Sequence, residues 1–137
     1  MNSRLILSTA GLVLFLSGAA LSFLPQETAA ALGLAPAVAL VLVMQVFSAA
    51  LLGLGILNWF SRANLIGGIY SRPLALANFL FFGVSAVSLD RVAVNHGVPQ
   101  VILIAAIVAS LFAIAFFWLL FIHDPIGKKP AATQDPK

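Results

Sequence analysis

The sequence predicts an all-α membrane protein, a bundle of four transmembrane helices with both chain ends in the cytoplasm. Of its 137 residues, 62% are hydrophobic and only 8% are charged, whereas about a quarter of the residues of a soluble domain are charged. Four apolar stretches approach or exceed the ~20 residues with which an α-helix crosses a bilayer. The basic residues between these stretches lie almost all on one side, which indicates the orientation.

Prolines mark several boundaries of the predicted spans. The spans cover about residues 5–24, 38–60, 73–89 and 100–122. Pro25 ends the first span because proline interrupts a helix. Pro73 suits the first turn of the third span, and Pro99 precedes the fourth. The third span is short for a bilayer, and an alternative is that it continues past Asp90 to Val94, with Arg91 reaching the headgroups.

Charge distribution predicts which side each end occupies. One side receives Arg4, Arg62, Arg72, Lys128, Lys129 and Lys137, and the other receives only Arg91. Because cytoplasmic loops carry the excess of Lys and Arg, both termini are expected inside. The formal charge of +3 is thereby explained by topology, and we expect no nucleic-acid partner.

The chain is expected to form one domain, residues 1–124, followed by a flexible cytoplasmic tail over residues 125–137. The alanine-rich centre of the outer loop, Thr28 to Leu32, suits a short surface helix limited by Gly33. An alternative for the N-terminus is a cleaved signal peptide, because Ala29 and Ala31 form an A-x-A-like site. The first apolar run is longer than a usual signal core of about 7–15 residues, which favours retention.

Small and polar residues recur at helical spacing and predict the contacting faces. In the first span Gly11 and Gly18 belong to one seam, and in the second Gln45, Ser48, Ala49, Leu52 and Gly53 form a comparable stripe. Ala105, Ala109 and Ala113 make a ridge of small residues on the fourth span. This ridge motivates lateral association with a membrane-protein partner or with a second copy of the chain.

Five polar residues fall near the midpoints of their spans and predict an intramembrane polar layer. They are Ser17, Gln45, Ser48, Ser85 and Ser110. One interpretation is structural, with hydrogen bonds between helices worth about 0.6 kcal/mol on average in a membrane bundle. The other is a small pocket just outside the midplane that binds a ligand.

Residues for catalysis and metal binding are not grouped in the sequence. The histidines, His96 and His123, lie at opposite ends of the fourth span and cannot share a metal ion. The intramembrane serines have no histidine or lysine at comparable depth to act as a base. Ionisable residues are also missing from the centres of the spans, where ion-coupled transporters need them. We therefore expect no enzyme, no cofactor and no metal.

The inner connection between the second and third spans concentrates polar and aromatic residues. Trp59, Arg62, Tyr70 and Arg72 are candidates for contacts with lipid headgroups, with topology anchoring as the simpler alternative. Asn58 and Asn78 are expected to cap or bridge helix ends beside this loop. They lie just inside the predicted spans.

The segment Gly67-Gly68-Ile69-Tyr70-Ser71-Arg72-Pro73, with the four-span layout, resembles small bacterial membrane proteins of the domain-of-unknown-function kind. These carry a Gly-Gly-Ile-Tyr-x-Arg-Pro-like inner loop, and the resemblance covers about the middle third of the chain. It implies a compact bundle in the bacterial cytoplasmic membrane. It implies no activity.

Two functions follow as expectations. The first is a non-enzymatic membrane protein that acts by lateral association with a membrane partner or with lipid. The second is a binder or transporter of a small neutral or amphipathic molecule, which would use the polar layer.

Overall fold

The computed structural model of the chain describes residues 3–62, 71–95 and 97–122. These residues form five α-helices: α1 (Ser3–Phe23), α2 (Pro25–Ala31), α3 (Val38–Ser61), α4 (Ser71–Asn95) and α5 (Gln100–Phe121). Helices α1, α3, α4 and α5 are each long and apolar enough to cross a membrane. The predicted four-helix all-α fold is confirmed.

The third spanning helix is longer than its apolar run. Its membrane-length stretch covers Arg72–Val94, and α4 itself continues to Asn95. Asp90 and Arg91 therefore lie inside the helix, as in the longer of the two predicted alternatives. Helix α2 forms in the loop expected to hold a short helix, but it begins at Pro25, a residue suited to a first turn. Gly33, with a φ of 74°, follows its end.

Helices α1 and α3 pack against each other in antiparallel directions. An ideal Cβ on Gly11 would lie 3.0 Å from the carbonyl oxygen of Gly55, and one on Gly18 would lie 3.0 Å from the backbone nitrogen of Leu52. The seam expected on the first span is thus the face that contacts α3. Without side chains at these glycines, the two backbones approach closely.

Aromatic rings join α4 to α5, which also run antiparallel. The ring of Phe82 stacks on Phe112 with centroids 4.8 Å apart and on Phe116 at 5.9 Å. Nearer the start of α4, Phe79 meets Phe121 at 6.2 Å. Offset and tilted ring pairs of this kind add to the packing of the apolar surfaces.

A single core connects the two helix pairs. It is formed by buried residues of all four long helices: Ile6, Leu7, Ala10, Leu14, Leu51, Ala75, Phe82, Ala86, Ala109, Phe116 and Leu119. The start of α1, the end of α3, the start of α4 and the end of α5 lie at one end of the bundle. We call this the basic end because Arg4, Arg62 and Arg72 belong to it.

Candidate functional site

A reciprocal pair of amides links α3 to α4 near the basic end. Asn58 Nδ2 donates to Asn78 Oδ1, and Asn78 Nδ2 donates to Asn58 Oδ1, both at 2.8 Å. Each Nδ2 also donates within its own helix, to the carbonyl oxygen of Leu54 at 3.0 Å and of Leu74 at 2.9 Å. Both side chains are 0% exposed. The geometry fits the predicted bridging of helix ends, and these amides have no donor left for a ligand.

The five residues of the predicted polar layer are not gathered in the bundle interior. Ser17 and Gln45 are exposed on the outer surfaces of α1 and α3. Ser48 is buried, but its hydroxyl donates to the carbonyl oxygen of Gln45 at 2.6 Å, within α3. Ser85 is half-buried on α4. Ser17 and Gln45 thus face away from the bundle, whereas Ser48 and Ser85 lie towards its interior.

Ser110, the last of the five, contacts a carboxylate. Its hydroxyl donates to Asp90 Oδ2 at 3.0 Å, which joins α5 to α4. Because its partner Ser110 lies near the middle of α5, Asp90 lies within the length of the bundle rather than beyond the end of the third span. The hydrogen bond is exposed rather than enclosed in a cavity.

The alanine ridge predicted on the fourth span is largely directed into the bundle. On α5, Ala106 and Ala109 are buried, Ala113 is half-buried, and only Ala105 is exposed. The outward surface of α5 carries large side chains, including Ile104, Ile107, Leu111, Ile114 and Phe117. Small residues that would permit close approach of a partner helix are thus mostly used between α5 and the rest of the bundle.

An arginine is stacked on a tryptophan at the end of α3. The guanidinium carbon of Arg62 lies 3.4 Å from the ring centroid of Trp59, well within the ~6 Å of a cation–π contact. Arg72, near the start of α4, is exposed at the same end of the bundle. Tyr70, the fourth candidate for headgroup contacts, lies outside the described residues. So do both histidines, most of the Gly-Gly-Ile-Tyr segment, and the tail over residues 125–137.

An apolar groove lies beside the crossing of α1 and α3, and Trp59 forms part of its wall. The groove holds about 240 Å³. It is lined by Gly11, Leu12 and Phe15 of α1 and by Gly55, Ile56, Trp59 and Phe60 of α3. The sequence prediction missed it because Gly53, rather than Gly55, was assigned to the contacting stripe of the second span. The two glycines of the crossing carry the signal, since each leaves a gap where a side chain would stand.

Comparisons with protein-family models, with curated proteins and with solved structures found no match to the chain. The function is therefore inferred from the residues and the geometry alone. At the basic end, the stacked Trp59–Arg62 pair places a positive charge next to the apolar groove that Trp59 lines.

Proposed function

We propose that the chain is a non-enzymatic, multi-pass protein of the bacterial cytoplasmic membrane that acts by lateral association with anionic lipid. Both chain ends would then be cytoplasmic, as the distribution of Arg and Lys favours. The observation that carries the proposal is the Arg62 guanidinium over the Trp59 ring at the end of a membrane-length helix.

The chemistry of this pair suits a phosphate group at the membrane surface. Stacking engages the flat face of a guanidinium, whereas its N–H donors point outward in the plane of the group. Those donors match two oxygens of a phosphate, and tryptophan itself prefers the headgroup level of a bilayer. Arg62 held by Trp59 would therefore present donors at the depth where lipid phosphates lie.

The alternatives expected from the sequence have lost the observations that motivated them. Transport of a small molecule through a polar layer needs its polar groups inside the bundle, and Ser17 and Gln45 lie outside. Specific protein partnering was based on the alanine ridge, most of which packs inside. Association with lipid needs neither feature.

Lipid retained by the purified protein tests the proposal. The protein would be extracted from membranes, exchanged into mixed micelles with equal amounts of phosphatidylglycerol and phosphatidylcholine, and weighed with its bound lipid by native mass spectrometry. We expect preferential retention of phosphatidylglycerol. Replacement of Arg62 by Gln should lower this preference about fivefold, since one basic residue at an anionic surface is worth about 1 kcal/mol.

Two further variants make the measurement specific. Arg62→Lys should retain part of the preference, because lysine keeps the charge but cannot bind two oxygens in one plane. Arg91→Gln removes an equal charge far from the basic end and should leave the preference unchanged. Equal retention of both lipids by the unsubstituted protein would exclude the proposed function.

A further inference from the structure

The groove between α1 and α3 gives the proposed lipid association a defined place. We infer that it is a binding site for one acyl chain of an anionic phospholipid whose phosphate group is held by Arg62. The inference rests on the proposed function and extends it from the headgroup to the chain. Four considerations support it: the origin of the groove, its size, its position relative to the basic residues, and the charge that these residues place beside it.

The groove exists because two glycines face each other. A Cβ on Gly55 would lie 2.9 Å from the backbone nitrogen of Phe15 and 3.0 Å from the carbonyl oxygen of Gly11. The helices thus meet backbone to backbone at this point. Beside this contact the larger side chains of both helices leave a groove, and the walls of this groove are aliphatic and aromatic.

The size of the groove favours a chain segment as its occupant. Its volume of about 240 Å³ is below the ~300 Å³ at which pockets for whole small molecules begin. The groove offers hydrophobic walls, which suit a hydrocarbon chain better than a polar ligand. A flexible chain can lie partly in the groove and partly in the bilayer, so the groove need not enclose the whole molecule.

Both walls of the groove carry a basic residue towards the same end. Arg62 follows Gly55 by seven residues, about two helical turns and roughly 10 Å, so the two positions share a face of α3. Arg4 precedes Gly11 by the same interval on α1. Because α1 and α3 are antiparallel, both arginines belong to the basic end. A phosphate there would be connected to its chain in the groove by a short glycerol segment.

Charge distinguishes a lipid from a second copy of the protein. In a two-fold dimer built on this groove, with its axis along the membrane normal, the arginines of both copies would lie on the same side of the membrane near the interface. Like charges at an interface repel each other. An anionic lipid instead brings a phosphate to the arginines and an apolar chain to the groove.

Filling the groove tests the inference. Ile56 lines the groove and is 45% exposed, whereas the next residue, Leu57, is 57% exposed and is not part of the lining. Ile56→Trp should therefore occupy the space of the chain, and Leu57→Trp is the matched control. We expect Ile56→Trp to reduce phosphatidylglycerol retention several-fold in the native mass spectra, with the control unchanged.

A second variant fills the groove from the wall formed by α1. Leu12→Trp on α1 should have the same effect, and Leu16→Trp, an exposed residue outside the lining, is its control. Independently of any variant, phosphatidylglycerol with a photoreactive diazirine in its acyl chain should label groove residues in the unsubstituted protein. Labelling confined to the outer surfaces of α4 and α5 would overturn the inference.

The outcomes separate the inference from the proposed function. If Arg62→Gln lowers phosphatidylglycerol retention while both groove-filling variants retain it fully, the headgroup proposal stands and the acyl-chain site is excluded. If the groove-filling variants lower retention of both lipids and Arg62→Gln changes nothing, the groove binds acyl chains but Arg62 does not hold the phosphate, and both the inference as stated and the headgroup role of Arg62 are excluded. A dimer mass that both groove-filling variants abolish would assign the groove to a second copy instead.

Discussion

At the scale of single residues, the Asn58–Asn78 pair is a fully satisfied polar contact between two helices. Each amide uses both its donors and its acceptor, and both side chains are fully buried. A membrane interior offers no water to replace a lost partner, so removal of one amide leaves the other with an unmet hydrogen-bonding group. The pair therefore fixes how α3 meets α4 at the basic end.

Replacement of one asparagine should destabilise the bundle more than replacement of both. We expect Asn58→Leu to lower the free energy of unfolding by about 1–3 kcal/mol, the cost of an unsatisfied buried polar group. The double variant Asn58→Leu, Asn78→Leu should recover part of this loss, because no polar group is then left without a partner. Unfolding in detergent–denaturant mixtures, arranged as a double-mutant cycle, measures the coupling between the two residues.

Gln45→Leu is the matched control for this cycle. It makes a similar polar-to-apolar change on the same helix, but at an exposed position. We expect a change within about 0.5 kcal/mol, as for most surface substitutions. A loss for Gln45→Leu as large as that for Asn58→Leu, or strict additivity of the two asparagine variants, would contradict the assigned roles.

At the scale of helices, packing depends on which glycine lies in a contact. Gly55 meets the backbone of α1, whereas an ideal Cβ on Gly53 would have no atom within 4 Å. The two glycines lie on the same helix, two residues apart. They therefore give a direct comparison of a glycine required by close approach with one that is not.

Gly55→Ala should separate α1 from α3. The added methyl group would lie 2.9 Å from a backbone nitrogen, which can move only with its helix, and overpacking of this kind costs about 1–3 kcal/mol. Gly53→Ala should leave stability unchanged or raise it slightly, since alanine is the better helix former. Thermal unfolding of both variants in the same detergent is the measurement. Equal stability of the two would contradict the close backbone contact between α1 and α3.

The helices and their order were predictable from the sequence, whereas most of their contacting faces were not. Apolar length and proline positions gave the spans, and the glycine seam of α1 was identified correctly. On α3, however, the predicted stripe included Gln45, Ala49 and Gly53, all of which are exposed. A helix that is apolar on every side has no periodicity that separates its lipid face from its packing face. Small residues then occur on both faces, and which face packs inside depends on the neighbouring helix.

The candidate site was only partly predictable for the same reason. Trp59 and Arg62 stood out as polar and aromatic residues at a helix end, and their stacking fits that expectation. The groove beside them depends on the approach of Gly11 to Gly55, two residues far apart in the sequence. The position of the C-terminal end of α4 was also hidden, because Asp90 interrupts the apolar run while its hydrogen bond to Ser110 keeps it against α5.

At the scale of the whole molecule, two antiparallel helix pairs place Arg4, Arg62 and Arg72 at one end of the part of the bundle that the structure describes. The residues Ser3, Ser61 and Ile122 lie at this end, and Ala35 and Val98 lie in the connections at the other end. The fold is compatible with either orientation in the membrane. The basic residues alone predict which orientation the protein takes.

Labelling of single cysteines should determine this orientation directly. The chain contains no cysteine, so each introduced thiol is the only one present. With a thiol reagent that does not cross the membrane of intact cells, we expect Ala35→Cys and Val98→Cys to react. Ser3→Cys, Ser61→Cys and Ile122→Cys should react only after the membrane is opened, because the basic end should face the cytoplasm.

The reverse pattern would move Arg62 to the outer leaflet and remove the electrostatic basis of the lipid proposal, while leaving the fold intact. A split in which Ser3 and Ser61 lie on opposite sides would contradict the packing of α1 on α3 itself, since their contacts require both residues at the same end.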